Sequence, residues 1–208
     1  MNLEDLYLEL EGHLMKDSKP SIYLGSQYWN PLFRKYPFDL LYQLKQTEQS
    51  RKYHPEGNVW NHTLLVVDEA AHVRKRSKEP LVFMWAALLH DIGKPSTTKR
   101  KSGRIISYNH DVIGEELARE FLSYFEKEEL FIESVCGLVR YHMQILLVTK
   151  NNQYADIEGM MKRANIRELA LLGMCDRMGR GKQNREKEAD NIRAFLKACG
   201  EEEVFDLL

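Results

Sequence analysis

Cysteine is scarce in this chain of 208 residues: Cys136, Cys175 and Cys199, an odd count without CxxC spacing. That excludes a disulfide framework and a thiolate zinc knuckle, and it predicts free thiols in a reducing, cytoplasmic setting. Neither sign of charge dominates, since 30 Lys and Arg meet 31 Asp and Glu for a net charge of −1. A general nucleic-acid binder carries a broad basic field, so here any attraction to phosphate must be local. No apolar run approaches the roughly 20 residues that span a bilayer, and no membrane association is expected. The start, MNLEDLYLELEG, is acidic and amphipathic rather than basic-then-apolar as in a signal peptide. Walker A, GxGxxG and GxSxG motifs are all missing, which removes the commonest nucleotide-loop and serine-nucleophile readings. Sustained two-residue alternation is missing too, which argues against a sheet.

What is present is helical periodicity. It predicts helices over 3–16, 38–50, 62–76, 80–92, 111–126, 129–146, 156–163, 166–178 and 181–198. Pro20, Gly25, Pro31 and Pro37 make 17–37 read as loop and short turns. YHPEGNVWNH (53–62) reads as a loop feeding the next helix. TTKRKSGRIISYNH (97–110) reads as a basic loop that can close into a short hairpin at Ser102-Gly103. The fold class expected is all-α, a single helical bundle.

Against that background one stretch is odd: FMWAALLHDIGKPSTTK, residues 83–99. An apolar helix driven to the core ends in His90-Asp91. A buried carboxylate must be paired, hydrogen-bonded or bound to a metal. The same oddity recurs on other helices. His142 shares a face with Val135, Leu138, Val139, Ile145 and Leu146; His110 with Gly114, Leu117 and Phe121; Asp176 with Ile166, Leu169, Leu172 and Gly173. His62 opens the helix before the HD pair. One histidine on an apolar face is usually a satisfied core residue, and an Asp near a helix end usually caps or pairs, here with Arg177 or Arg180. Repeated on five helices, the pattern is better explained by one shared cation, and imidazole with carboxylate suits a borderline divalent metal. His54 in its Pro/Gly loop, His72 among charges and His13 on the first helix are expected to lie outside the site. Asp68 is either a surface residue or an acceptor that orients an imidazole. Lys94, just past the HD pair, is expected to contact phosphate, and Lys99, Arg100, Lys101 and Arg104 follow it.

In order along the chain, His62, His90-Asp91 and Asp176 form an H…HD…D signature. This resembles the HD superfamily of metal-dependent phosphohydrolases. HPEGNVWNHTLLVVDEAA (54–71), ALLHDIGKPSTT (87–98) and YNHDVIGEELARE (108–120) look most like the HD domain attached to bacterial CCA-adding tRNA nucleotidyltransferases. The resemblance implies an HD domain over 38–180, an N-terminal helix and loop segment over 1–37 packed on it, and a C-terminal helix over 181–208. It implies one or two divalent ions (Mn, Ni, Fe, Co or Zn, with Mg a further candidate), held by His62, His90, Asp91 and Asp176 with His110 and His142 as added ligands. Asp91 and Lys94 are then catalytic, with Asp68 joining them by its match to the family pattern. The expected activity is hydrolysis of a phosphomonoester or phosphodiester of a nucleotide or similar small molecule, an RNA 2′,3′-cyclic end included. Gly25-Ser26 is not followed by the Asp-x-Asp pair that tRNA-end polymerisation needs, so a standalone domain without polymerase activity is expected. The alternatives are a di-iron oxygenase of the same superfamily and a metal- or nucleotide-binding regulatory module without turnover.

Overall fold

The computed structural model describes residues 1–181 and 183–201. Helix α1 (Leu3–Lys16) is started by a capping box in which Asn2 and Asp5 bond each other's backbone N–H groups. The next stretch departs from the loop its prolines suggest. Pro20 opens helix α2 (Pro20–Gln27) at its first turn, where no backbone N–H is needed, and Gly25-Ser26 lies inside that helix. Pro31 opens a 3-10 turn, Pro31–Arg34. The helix expected over 38–50 shrinks to α3 (Asp39–Tyr42) and a 3-10 turn, Gln43–Gln46. The chain then runs irregularly to Asn58, whose side chain accepts the Asn61 N–H at 2.9 Å and starts α4 (Val59–Val73) earlier than the apolar pattern indicates.

Helix α5 (Pro80–Leu89) is the axis of the bundle. Every residue from Val82 to Leu89 is buried, as expected of a helix that is apolar all round. It packs against α1 and α4 and against the later helices α8 (Glu129–Tyr141) and α11 (Ile166–Met178). Trp85 of α5 stacks on Tyr7 of α1 at 4.7 Å, and its indole N–H donates to Glu11 at 3.0 Å. Past the HD pair come α6 (Lys94–Thr97) and a hairpin, β1 (Thr98–Lys101) with β2 (Arg104–Ser107). Ser102 and Gly103 turn it with φ of 49° and 74°, the double positive φ that matches the strand twist. This hairpin is the only sheet among the described residues, and the fold is all-α.

Helix α7 (His110–Tyr124) lies against α8, and α9 (Gln144–Thr149), α10 (Ile157–Arg163) and α12 (Arg185–Ala198) complete the bundle. The single helix expected over 129–146 is broken at His142-Met143. The combined stretch Glu129–Thr149 is long and apolar enough to cross a membrane, contrary to the reading of the sequence by runs. Of its most apolar window 61% is buried, and its apolar face is spent on the other helices. All three cysteines are free and buried.

Candidate metal centre

Five helix ends deliver the cluster. His90 caps the C-terminus of α5 and Asp91 follows it; His142 caps the C-terminus of α8; His110 is the first residue of α7; Asp176 lies in the last turn of α11. His62 comes from the first turn of α4. All six are buried, and so is Lys94.

The hydrogen-bond donors decide what the imidazoles can do. His90 Nδ1 lies 2.9 Å from the Ala87 carbonyl, His142 Nδ1 lies 2.7 Å from Val139 O, and His110 Nδ1 lies 2.6 Å from Ser107 O. A carbonyl only accepts, so each Nδ1 carries a proton and each Nε2 presents a lone pair. The partner is three residues back every time. At α5 and α8 it is a last-turn carbonyl that the helix itself leaves without a donor. His90 Nε2 is buried with no hydrogen-bond partner. His110 Nε2 and His142 Nε2 face each other at 3.2 Å. Burial holds both imidazoles toward the neutral form, His142 down to about 4 with the help of its histidine neighbours. Two lone pairs pointed at one another in a buried place repel, and a cation between them and a carboxylate removes the repulsion.

Asp91 is that carboxylate, and its two oxygens face opposite ways. Oδ1 lies 3.5 Å from His110 Nε2 and 3.8 Å from His142 Nε2. Oδ2 lies 3.3 Å from His90 Nε2 and 3.9 Å from His62 Nε2. Lys94 Nζ sits 2.7 Å from Oδ2 as an ion pair, yet Oδ2 has no aligned hydrogen-bond donor. Burial pushes the Asp91 pKa up, but Lys94 and the surrounding histidines outweigh it and hold the carboxyl well below its usual range. Three-ligand groups within 4.8 Å form on both sides: His62, His90 and Asp91, and Asp91, His110 and His142. The donor set, orphaned Nε2 atoms converging on a bridging carboxylate, fits a divalent metal of the kind that takes imidazole and carboxylate.

His62 differs from the other three. Its Nε2 is 2.9 Å from Asp176 Oδ1, and its Nδ1 is 2.9 Å from Glu56 Oε1, although without good hydrogen-bond alignment. Burial lowers the His62 pKa, but the two carboxylates prevail and it is raised. Glu56 also accepts from His54 Nδ1 at 2.8 Å, and the two imidazoles hold its carboxyl at about 2 against the effect of burial. Arg180, one turn past Asp176, binds that carboxylate at 2.6 Å. Burial opposes ionisation of Asp176, but Arg180 and His62 keep it well below the normal range.

The positions expected of the ligand set therefore converge. Asp68 does not join them. It lies six residues past His62, about 240° around the helix, and its two oxygens take the backbone N–H and hydroxyl of Ser21 at 3.0 and 2.6 Å. His54, placed outside the site by its loop, stands with its ring 4.9 Å from that of His62. His13 pairs with Asp17, and His72 is exposed. Two contributors escape sequence reasoning: Glu56, and Gln49, whose Oε1 accepts from Lys94 Nζ at 2.7 Å. Both come from the irregular 47–58 stretch, which carries no periodicity; the one hint was a Glu beside His54 in a Pro/Gly loop. The cluster opens into a cavity of about 780 Å³ lined by Lys94, Lys150, Arg177 and Arg180 among others.

Comparison with known proteins matches residues 59–181 to the model of the HD domain. That span includes all six converging His and Asp residues and excludes Gln49 and Glu56. The Multifunctional CCA protein of Actinobacillus pleuropneumoniae serotype 5b is 41% identical over 83 residues, covering 40% of this chain and 19% of the relative. The protein of that name from Pseudomonas fluorescens is 28% identical over 180 residues, covering 82% and 41%. The CC-adding tRNA nucleotidyltransferase of Thermus thermophilus is 37% identical over 89 residues, covering 42% and 20%. The chain thus spans less than half the length of these relatives.

Proposed function

Because this chain belongs to the HD domain family, a superfamily of metal-dependent phosphohydrolases, we propose that it hydrolyses a phosphoester of a nucleotide or similar small molecule. The observation that carries the reading is the set of three buried imidazoles whose Nδ1 protons are spent on backbone carbonyls and whose Nε2 atoms converge on Asp91. His62, His90, Asp91 and Asp176 would hold one divalent ion, and Asp91, His110 and His142 a second. A bound ion supplies Lewis-acid polarisation of a phosphoryl oxygen and a water acidic enough to attack near neutral pH.

The chain's own groups do the rest. Lys94 fixes the Asp91 carboxylate and lines the cavity, so its remaining N–H is available to a phosphoryl oxygen. Arg180 compensates Asp176, and its Nε is a buried donor without a partner on the same cavity wall. Glu56 places a carboxylate 2.9 Å behind His62 Nδ1. Burial of the cluster keeps these charges in a low dielectric, where each counts for more than at the surface.

The test strips the protein of metal, reloads it separately with Mn, Ni, Co or Mg, and follows ring opening of 2′,3′-cyclic AMP and phosphate release from nucleotides. Turnover that returns only with metal, and is lost in Asp91→Ala with helical content unchanged, is the expected result. Full activity in Asp91→Ala overturns the assignment. Two bound irons with substrate-dependent oxygen uptake and no phosphate chemistry would move it to the oxygenase class.

A further inference from the structure

The cavity at the cluster does not end there. A second cleft, of about 830 Å³, runs between residues 48–58 and the hairpin. The two share lining residues, among them Gln49, Lys52, Tyr53 and Ile106, so they adjoin. Either volume alone accommodates one small ligand, which takes a pocket of about 300–1,000 Å³. A mononucleotide at Asp91 leaves the second cleft without an occupant.

The chemistry of the second cleft is that of a polyanion track. Arg51, Lys52, Arg100 and Arg104 line it against a single acid, Glu48, which pairs with Arg100. This is a local concentration of positive charge on a chain whose net charge is −1. Tyr53 stands at the junction, 60% exposed, with the Lys52 ammonium 5.4 Å from its ring centroid. Beside it Gln49 is buried, and once its Oε1 is given to Lys94 its Nε2 is a donor with no partner. Cations along a groove, an exposed ring and an unspent amide are the means by which single strands are held: backbone charge, base stacking and one fixed polar contact.

We propose that this cleft is the track for a single-stranded oligonucleotide whose terminal phosphoester lies at the Asp91 cluster. The proposal rests on the phosphoester reading of that cluster and specifies its substrate class. The strand enters past Arg100 and Arg104 of the hairpin and Arg51 of the facing segment, stacks a base on Tyr53, and meets Gln49 where the two cavities join.

The test is fluorescence anisotropy of the full chain with 5′-labelled eight-nucleotide RNA and DNA single strands ending in a 3′-phosphate, in chelator and after reloading with Mn. Competing ligands are the matching nucleoside 3′-phosphate and the matching duplex. The single strand is expected to bind at least tenfold more tightly than the mononucleotide. The salt slope should fall by roughly 0.7 for each cation removed. Arg51→Glu with Arg104→Glu should weaken the strand at least tenfold and leave the mononucleotide within twofold; Tyr53→Ala should cost the strand about tenfold. An RNA preference would assign a ribose contact, and equal binding a generic strand. A strand no tighter than the mononucleotide, one indifferent to the charge reversal, or a duplex that binds equally overturns the proposal. Strand binding without turnover strikes the hydrolase reading alone, whereas mononucleotide turnover without strand binding strikes only this one.

Discussion

Glu56→Gln is the sharpest perturbation of the centre, because it changes one charge and almost no volume behind His62, the imidazole proposed as a ligand, rather than on it. Glu56 Oε1 lies 2.9 Å from His62 Nδ1 and 2.8 Å from His54 Nδ1. With the carboxylate, His62 is a more basic donor, and losing such support behind a metal-bound imidazole costs about 10- to 100-fold in affinity, or roughly 1.4–2.7 kcal/mol. A second effect opposes the first. In the metal-free protein Glu56 and Asp176 raise the His62 pKa, so a proton must leave before His62 can ligate, and Glu56→Gln weakens that competitor. The two effects separate by pH. As pH rises and the His62 proton is lost, the full loss should emerge; as pH falls, the loss should shrink. Calorimetric titration of the chelator-treated protein with Mn or Ni, in buffers of different ionisation enthalpy, reads both affinity and proton release. At a given pH the wild type should release more proton on binding than the variant. Affinity within twofold of wild type at every pH would refute the role of Glu56.

Other outcomes follow from the same geometry. Lys94→Met leaves Asp91 buried beside no cation, so it should cost about 3–5 kcal/mol in chelator and far less with metal bound, a difference readable as two melting curves. Stability of the chelator-treated protein should rise with pH between about 4 and 6.5, because His142 is held at about 4 when folded and the unfolded chain binds the extra proton. The gain is at most about 3 kcal/mol, and denaturant titrations across that window would show it. Below that window Asp91 and Asp176, both depressed, add an acid loss of the same sign. Asp68→Ala should destabilise by about 1 kcal/mol through the loss of Ser21 and leave metal affinity unchanged.

The parts of this molecule that could be read from sequence are those where a polar side chain interrupts a helical apolar stripe. His90, Asp91, His142 and Asp176 each break such a stripe, and periodicity alone brings them to one core. His110 was legible because Gly114 marks a close approach four residues on. Helix α2 was not, because proline breaks a helix only in its interior and here Pro20 starts one, while Gly25 inside it weakens the helix without ending it. Asp68 misled for a related reason: it lies on the right helix, and only its angular position sends it to Ser21. Glu56 and Gln49 were out of reach, since an irregular segment places side chains by its path through space.

The close approach of Gly93 to the start of α7 fixes how the two halves of the centre are spaced. A side chain at Gly93 would place its Cβ 2.2 Å from the His110 carbonyl and 2.6 Å from the Gly114 N–H nitrogen. Main chain thus meets main chain at the point where His90 and Asp91 arrive on one side and His110 on the other. Side chains yield by changing rotamer, whereas two backbones in contact have nothing to give. The gap between the two halves of the centre behaves as a gauge of fixed width. A substitution at Gly93 that forced these backbones apart would carry His110 away from Asp91 without altering either side chain.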